Sequence, residues 1–395
     1  MPLAIAEPSS TPDHSAASTR DTRIRSIAAT ILEAPTVRRH KLSNTEIAHQ
    51  GFVLVRVLLE NGVTGIGEAS TLGGPRWAEE SVESIQAVIE KYLAPALADQ
   101  NAMLFEANAV RMSKAATRNF AAKAAVESAL FDAVGRTLGL PASALLGGQV
   151  RDRIGVIWAL ASGDAEQELE EAREKLRLRQ HKDFKIKLGF NAPDADVRRL
   201  QHLRAGLGDD VRLIVDVNQA WTEALCIRLF PALEELGVAL IEQPVPASQR
   251  DAMARVASRT RIPLLIDEAA FTNTELASVA SRACGSVYSL KLVKSGGLLE
   301  LKRAAGIAQA FGIELYGGCL LESSIGAAAH MAVFSTLPKL EWGSEHFGPR
   351  ILVDDLVAAP LVFEEFEIHV PSGPGLGMIL DEDKVRFMAR KAGSK

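Results

Sequence analysis

Hydrophobic positions along the chain fall into three regimes. Two apolar runs, Ile24 to Leu32 and Phe52 to Glu60, are followed by Asn61-Gly62 and Val63 to Glu68. They predict strands joined at a hairpin, because Asn-Gly supplies the left-handed backbone that a tight β-turn needs. Beyond Thr71-Leu72-Gly73-Gly74-Pro75, apolar residues recur at helical spacing over Trp77 to Leu97, Ala102 to Ser113 and Thr117 to Leu138. Strands followed by helices predict an α+β domain over 21–150.

From Ile154 short apolar strands alternate with amphipathic helices, the mark of parallel βα units. The strands expected are Gly155 to Leu160, Phe184 to Leu188, Val211 to Val217, Val238 to Ile241, Pro263 to Asp267, Val287 to Leu292, Ile313 to Tyr316 and Lys339 to Trp342. Helices fill the gaps, among them Asp164 to Gln180, with Asp164 as N-cap, and Gly297 to Phe311. Eight such strands predict an α/β fold with a closed barrel over 151–344. Past Gly343 the alternation stops. Ile351 to Val370 and the Gly/Pro-rich run Pro371 to Gly377 predict strand and turn material, so 345–395 is expected to return to the first domain.

The composition is that of a soluble globular protein: 395 residues, 47% hydrophobic and 24% charged. A net charge of −5 offers no basic footprint for nucleic acid or an anionic membrane. Cys226, Cys284 and Cys319 are widely spaced and odd in number, which predicts reduced thiols and a cytoplasmic location. No apolar run approaches the roughly 20 residues of a membrane span. Residues 1–20, rich in Ser, Thr, Ala and Pro, predict a flexible tail.

The candidate chemistry begins at Lys185 and Lys187. Two apart on an apolar strand, they put two ammonium groups on one face, where like charge and burial favour the neutral amine. An edge strand with a solvated lysine face is the alternative. In a βα barrel the active site lies at the C-terminal ends of the strands. The residues expected there are Lys185, Lys187, Asp216, Asn218, Glu242, Asp267, Glu268, Lys291 and, after strand seven, Glu322. Asp216, Glu242, Asp267 and Lys291 follow one another at 26, 25 and 24 residues, each about one βα unit.

Three carboxylates side by side repel, and a hard divalent cation, Mg²⁺ or Mn²⁺, is the simplest way to hold them ionised. Lys291 falls across the mouth from Lys187, so a metal-bound substrate carboxylate would meet an amine on each face of its α-carbon. Lys294 nearby is expected to be an exposed charge, and a solvated strand end stays open for Lys291. His330 and His346 have no ligand spacing and are expected to be packing or surface residues. No complete G-x-G-x-x-G and no G-x-S-x-G occurs. A Schiff-base aldolase using Lys187 or Lys291 remains open, as does a non-catalytic barrel.

The motifs FKIKLG, VDVNQAW, IEQPV, IDEAAF, LKLVKSGG, YGGCLLESSIG and PGLG resemble the muconate cycloisomerase branch of the enolase superfamily, from about Arg23 to Arg390. The resemblance implies a modified (β/α)7β TIM-type barrel, capped by the α+β domain and completed by the C-terminal segment. It implies Asp216, Glu242 and Asp267 as ligands of Mn²⁺ or Mg²⁺, and Lys187 as acid/base with Lys185 as electrostatic partner. Lys291 would lie on the opposite face, Glu322 near the substrate and Asn218 beside the metal shell, with Glu268 one layer out.

Trp158 to Asp164, Gln180 to Phe184, Thr71 to Gly74 and Glu345 to Pro349 resemble the muconate and chloromuconate cycloisomerases. The aspartate pair of dipeptide epimerases after strand seven is missing, while N-succinylamino-acid racemases, dipeptide epimerases and o-succinylbenzoate synthases share the same lysine and carboxylate set. The implied reaction is syn lactonisation of cis,cis-muconate through a metal-stabilised enolate, in aromatic (catechol) breakdown. Leu72 and Trp77 would lie on a substrate-contacting loop. Trp77 and Ser289 resemble chloromuconate members, whereas Glu322 stands where some of these carry aspartate, so unsubstituted and chlorinated muconate both stay open. A large homo-oligomer, an octamer, is also implied.

Overall fold

The computed structural model describes residues 21–43 and 45–389, so the tail expected over 1–20 lies outside the described residues. Strands β1 (Ile24–Lys41), β2 (Glu46–Leu59) and β3 (Thr64–Thr71) form an antiparallel sheet in that order. The Asn61-Gly62 hairpin is present, with Gly62 at φ 84° and its N–H donating to the Leu59 carbonyl. β1 runs on to Lys41, past the expected stop at Leu32, and β2 begins at Glu46. Polar residues in both extensions hide the alternation, and pairing there is irregular between Pro35 and His40.

The helix Phe120–Leu138 lies along this sheet, buried through Gly135. Its alanines let the backbones approach closely: a Cβ on Gly65 would stand 2.2 Å from the Ala129 carbonyl and 2.4 Å from the Ala133 nitrogen. Gly65→Ala is therefore expected to lower stability by about 1–3 kcal/mol through overpacking, measured by urea unfolding. An unchanged midpoint would show that helix and sheet can part freely. This helix starts at Phe120 and not Thr117, because Arg118 and Asn119 adopt left-handed backbone. Trp77 likewise lies outside any helix: Ser81 caps a helix beginning at Val82, and the segment before it is turns and bends.

The barrel contains seven parallel strands in sequential order, β5 (Ile157–Leu160), β6 (Asp183–Lys187), β7 (Arg212–Asp216), β8 (Leu240–Glu242), β9 (Leu264–Ile266), β10 (Val287–Leu290) and β11 (Glu314–Gly317). The expected first strand is split, since Arg153–Gly155 forms a separate short strand, β4. Lys339 to Trp342 is not the eighth strand. The circle closes two residues later, where Ser344 bridges Val156 on one side and Gly317 on the other. The Ser344 N–H donates to Gly155 O (2.9 Å) and the Glu345 N–H to Gly317 O (2.8 Å). Gly343, at φ 68°, makes the turn into this stave, where a Cβ would stand 2.6 Å from the Gly155 carbonyl.

Ile157, Ile214, Leu240, Leu265, Val287 and Tyr316 fill the barrel interior in one buried layer, as barrel cores require. The stretch Ile351 to Val370 is mostly irregular, with β12 (Phe363–Glu364) pairing to β13 (Glu367–His369), which pairs in turn to β4. Farther on, the Leu376 N–H donates to Asp132 (2.7 Å), Glu382 pairs with Arg56 (2.8 Å), and Ala389 bridges Leu32. All three cysteines are free and buried. Among the described residues no helix is long and apolar enough to cross a membrane.

Candidate active site

Strand alternation sends Lys185 and Lys187 into the barrel, while Phe184 and Ile186 face the surrounding helices. Because parallel neighbours in register share a face, the pairings Lys187 with Asp216 and Asp216 with Glu242 set these three in one row. Asp267 directly follows β9, and Lys291 follows β10 as the residue before the short helix Leu292–Ser295. The row therefore continues around the C-terminal rim. All six residues are buried, and β6 lies between β5 and β7, so neither an edge strand nor a solvated strand end describes the lysines.

Each carboxylate of the triad meets a lysine. Lys187 Nζ donates to Asp216 Oδ2 at 2.6 Å and reaches Asn218 Oδ1 at 3.4 Å. Lys185 Nζ lies 2.5 Å from Glu242 Oε2 and in closer contact with Glu345. Lys291 holds Asp267 Oδ2 at 2.6 Å, and Lys294 bonds Asp267 Oδ1 (3.1 Å) and its carbonyl (2.9 Å). Burial works against charge on Lys185, but Glu242 and Glu345 outweigh it and hold the ammonium well above the ordinary lysine range. The neutral amine expected from two adjacent lysines is thus reversed at Lys185, because carboxylates surround it. Lys291 is also raised: burial opposes its charge, and Asp267 overcomes the burial.

The carboxylates divide in the opposite sense. Burial, then Asp216, pushes the Glu242 carboxyl far up, whereas at Asp267 the two lysines outweigh burial and keep it below the usual range. Glu242 is 1% exposed, and neither of its oxygens has a hydrogen-bond partner. A buried acid with no hydrogen bond to either oxygen and only the Lys185 ammonium beside it, between two further acids on adjacent strands, fits a hard divalent cation with oxygen ligands. Glu268 is pushed to about 7 by burial and Asp267; its Oε1 accepts from Asn218 Nδ2 (3.3 Å) and its Oε2 is unpartnered.

The rim carries unusual backbone. Asn218, Gln219, Gln243 and Leu321 have φ values of 42°, 68°, 33° and 58°, a conformation that side-chain-bearing residues seldom adopt. Gln243, the residue after Glu242, repays its strain by accepting from the Asp267 and Ala269 N–H groups (both 3.1 Å), which fixes the loop that presents Asp267.

Two residues of the site were not assigned to it from sequence. Glu345, beside the closing stave, is the second acid against Lys185, and it also accepts from the Tyr316 hydroxyl (2.9 Å) and the Cys319 N–H (2.9 Å). Lys294, expected to be exposed, is fully buried over the Tyr288 ring at 4.4 Å. Its signal was the Lys-x-x-Lys spacing, which brings the second ammonium back to the same carboxylate.

Glu322 contacts neither Lys187 nor Lys291 directly; its two oxygens share the Leu320 N–H (2.9 and 3.0 Å), and burial pushes it to about 7. Trp77 covers the mouth, with the Lys291 ammonium 4.3 Å from its ring centroid, and Leu72 is buried on the same loop. Ser289 is buried with an unpartnered hydroxyl, and Gly318 keeps room open beside it and Lys291. His330 and His346 are packing residues in the interior and do not reach the surface.

Residues 26–147 match the family described as mandelate racemase / muconate lactonizing enzyme, N-terminal domain, and residues 167–384 match the enolase C-terminal domain-like family. The chain is 42% identical to a chloromuconate cycloisomerase of Cupriavidus pinatubonensis, over 93% of this chain and 99% of that one. It is 42% identical to muconate cycloisomerase 1 of Pseudomonas putida, over 92% and 97%. A muconate lactonizing enzyme of Pseudomonas fluorescens, solved with muconolactone, superposes with a TM-score of 0.93 at 41% identity, covering 94% of this chain and all of that one. The capped barrel, the row of lysines and acids and these likenesses agree: the chain belongs to the mandelate racemase / muconate lactonizing enzyme family of the enolase superfamily.

Proposed function

We propose that the protein is a muconate cycloisomerase, closing cis,cis-muconate or a chloro-cis,cis-muconate to a muconolactone in aromatic breakdown. The observation that carries this is the rim itself, with Lys187, Asp216 and Glu242 in one row and Asp267 and Lys291 continuing it. Asp216, Glu242 and Asp267 would hold Mn²⁺ or Mg²⁺, which when bound supplies positive charge to keep them ionised and to stabilise negative charge on a substrate carboxylate.

One substrate carboxylate oxygen adds to the far conjugated double bond, forming the lactone C–O bond, and the electron pair moves to the carbon next to the other carboxylate. Lys187 Nζ gives its proton to that carbon in a syn addition and regains one from solvent. Lys185, charged between Glu242 and Glu345, favours this developing anion and keeps Lys187 poised. Lys291 supplies charge on the other face, with Glu345 closer to the lysines than Glu322, whose part is to shape the wall behind the substrate. Asn218 and Glu268 order the shell around Asp216 and Asp267, while Leu72, Trp77 and Ser289 would shape the space for the unsubstituted or chlorinated chain.

Lysines on two faces also suit an N-succinylamino-acid racemase or dipeptide epimerase, which is the second reading. A Schiff-base aldolase using Lys187 or Lys291 has less support, since it gives the three carboxylates no part and needs a neutral amine where Lys291 is held charged. Muconate absorbance is expected to fall with enzyme and Mn²⁺, to stop with excess chelator, and to resume when Mn²⁺ is restored. Inactivity on all muconates with racemisation of N-succinylamino acids would replace this reading by the second. A homo-oligomer, an octamer by resemblance, and a cytoplasmic location belong to the same proposal; native mass spectrometry reads the former.

A further inference from the structure

Beside the loop after β11 lies a second constellation, Glu322, His330 and His346, all buried, whose nearest ligating atoms fall within 4.8 Å of one another. Two nitrogens and a carboxylate would suit zinc. His330, however, is already committed. Its Nδ1 pairs with the Gly326 carbonyl (2.8 Å), and its Nε2 accepts the N–H of Leu292 (3.0 Å), so a cation there would have to displace a main-chain hydrogen bond.

His346 differs. Its Nδ1 pairs with Ser344 Oγ at 2.7 Å, while its Nε2 is buried without a partner, 3.8 Å from Glu322 Oε2. An orphaned imidazole nitrogen inside a protein costs free energy that a nearby donor would recover. Burial favours the uncharged forms of both groups, raising Glu322 to about 7 and lowering His346 far below its usual range, so one offers an O–H and the other a lone pair. A shift of about 1 Å closes the gap to hydrogen-bond length. The charged groups facing the pair are Lys291, which lowers both, and Glu345, which raises Glu322, with His330 adding to the effect on His346. Glu68 adjoins Glu322 across Gly326.

We propose that His346 is a positioning residue, whose Nε2 takes a hydrogen bond from the Glu322 carboxyl group and so keeps that side chain beside the β11 loop and away from Lys291. Lys291 then remains paired to Asp267 and available to the substrate. Left loose, Glu322 would compete for the Lys291 ammonium. The kinetic consequence rests on the proposed cycloisomerase reading; the hydrogen bond itself does not.

The test compares His346→Leu, which removes the acceptor, with His346→Gln, which restores one, and with Glu322→Gln. The infrared difference between wild type and Glu322→Gln near pH 6 should show a protonated-carboxyl carbonyl band, shifted to higher frequency in His346→Leu. With muconate and Mn²⁺, His346→Leu should lower kcat by about 5- to 10-fold, the scale of one hydrogen bond, with KM changed less than about 2-fold, and His346→Gln should recover most of the loss. No protonated band, a band unmoved in His346→Leu, equal kinetic losses in Leu and Gln, or one zinc bound per chain and lost in His346→Leu would each overturn the proposal. Failure of wild type to turn over muconate, with the infrared shift present, would instead sink the cycloisomerase reading alone.

Discussion

Replacing Lys187 by methionine is expected to lower kcat on muconate by about 10²- to 10⁴-fold, the usual contribution of a positioned general acid. Methionine keeps the length of the side chain and removes the proton. Lys187 is the lysine at the open end of the row, with its ammonium shared between Asp216 (2.6 Å) and Asn218 (3.4 Å), whereas Lys185 lies deeper between two acids. KM should change by less than about 3-fold, because the missing interaction matters where the proton moves. Stopped assays of muconate loss, with a urea unfolding curve to show that the variant is folded, check the prediction. A variant as fast as wild type would remove Lys187 from the role of acid, and Lys185→Met would then be the next candidate to assay.

The barrel was legible because parallel βα units impose a period. The spacing of Asp216, Glu242, Asp267 and Lys291 mirrors the strand register that places them on one rim. Strand alternation likewise put Lys185 and Lys187 on one face. What stayed hidden had no period to read. The eighth stave is the single bridging residue Ser344, flanked by glycine and glutamate, so it carries no apolar run; Lys339 to Trp342, more strand-like in composition, falls outside the sheet. Beyond Leu32, the polar character of β1 concealed a strand whose pairing is interrupted.

The same blindness affected partners. Lys294 looked like a surface charge because its Lys-x-x-Lys spacing from Lys291 marks a shared carboxylate only where the backbone turns helical after Lys291, as it does here to return an ammonium to Asp267. Glu322 stands out in sequence because it follows strand seven, whereas Glu345 follows the stave that closes the barrel, and only closure brings it against Lys185.

Lys185→Met should be the most destabilising of the lysine replacements in chelator-treated protein, and cation binding should reverse part of the loss. Lys185 is 1% exposed, and its ammonium is the ionic partner of Glu242 at 2.5 Å. Glu345 would keep the Tyr316 hydroxyl and the Cys319 N–H, but Glu242 would keep nothing, since neither of its oxygens is hydrogen-bonded. Removing one member of such a buried pair costs about 3–5 kcal/mol. The loss is limited by protonation. Burial and Asp216 already raise the Glu242 carboxyl above its usual 4.5, and without Lys185 it rises further. A folded-state pKa above the unfolded one means that the folded chain holds the extra proton, so stability falls as pH rises from about 4.5 towards the folded value. The deficit of Lys185→Met relative to wild type should therefore be larger near pH 8 than near pH 5.5, read from urea midpoints in chelator. Mn²⁺ should raise the melting temperature of Lys185→Met more than that of wild type, because it binds the folded state, relieves Glu242 and no longer meets the repulsion of the Lys185 ammonium. An equal Mn²⁺ shift in both proteins, or a deficit that shrinks at higher pH, would show that Glu242 is neither the group stranded by the replacement nor one that shares its charge with the cation.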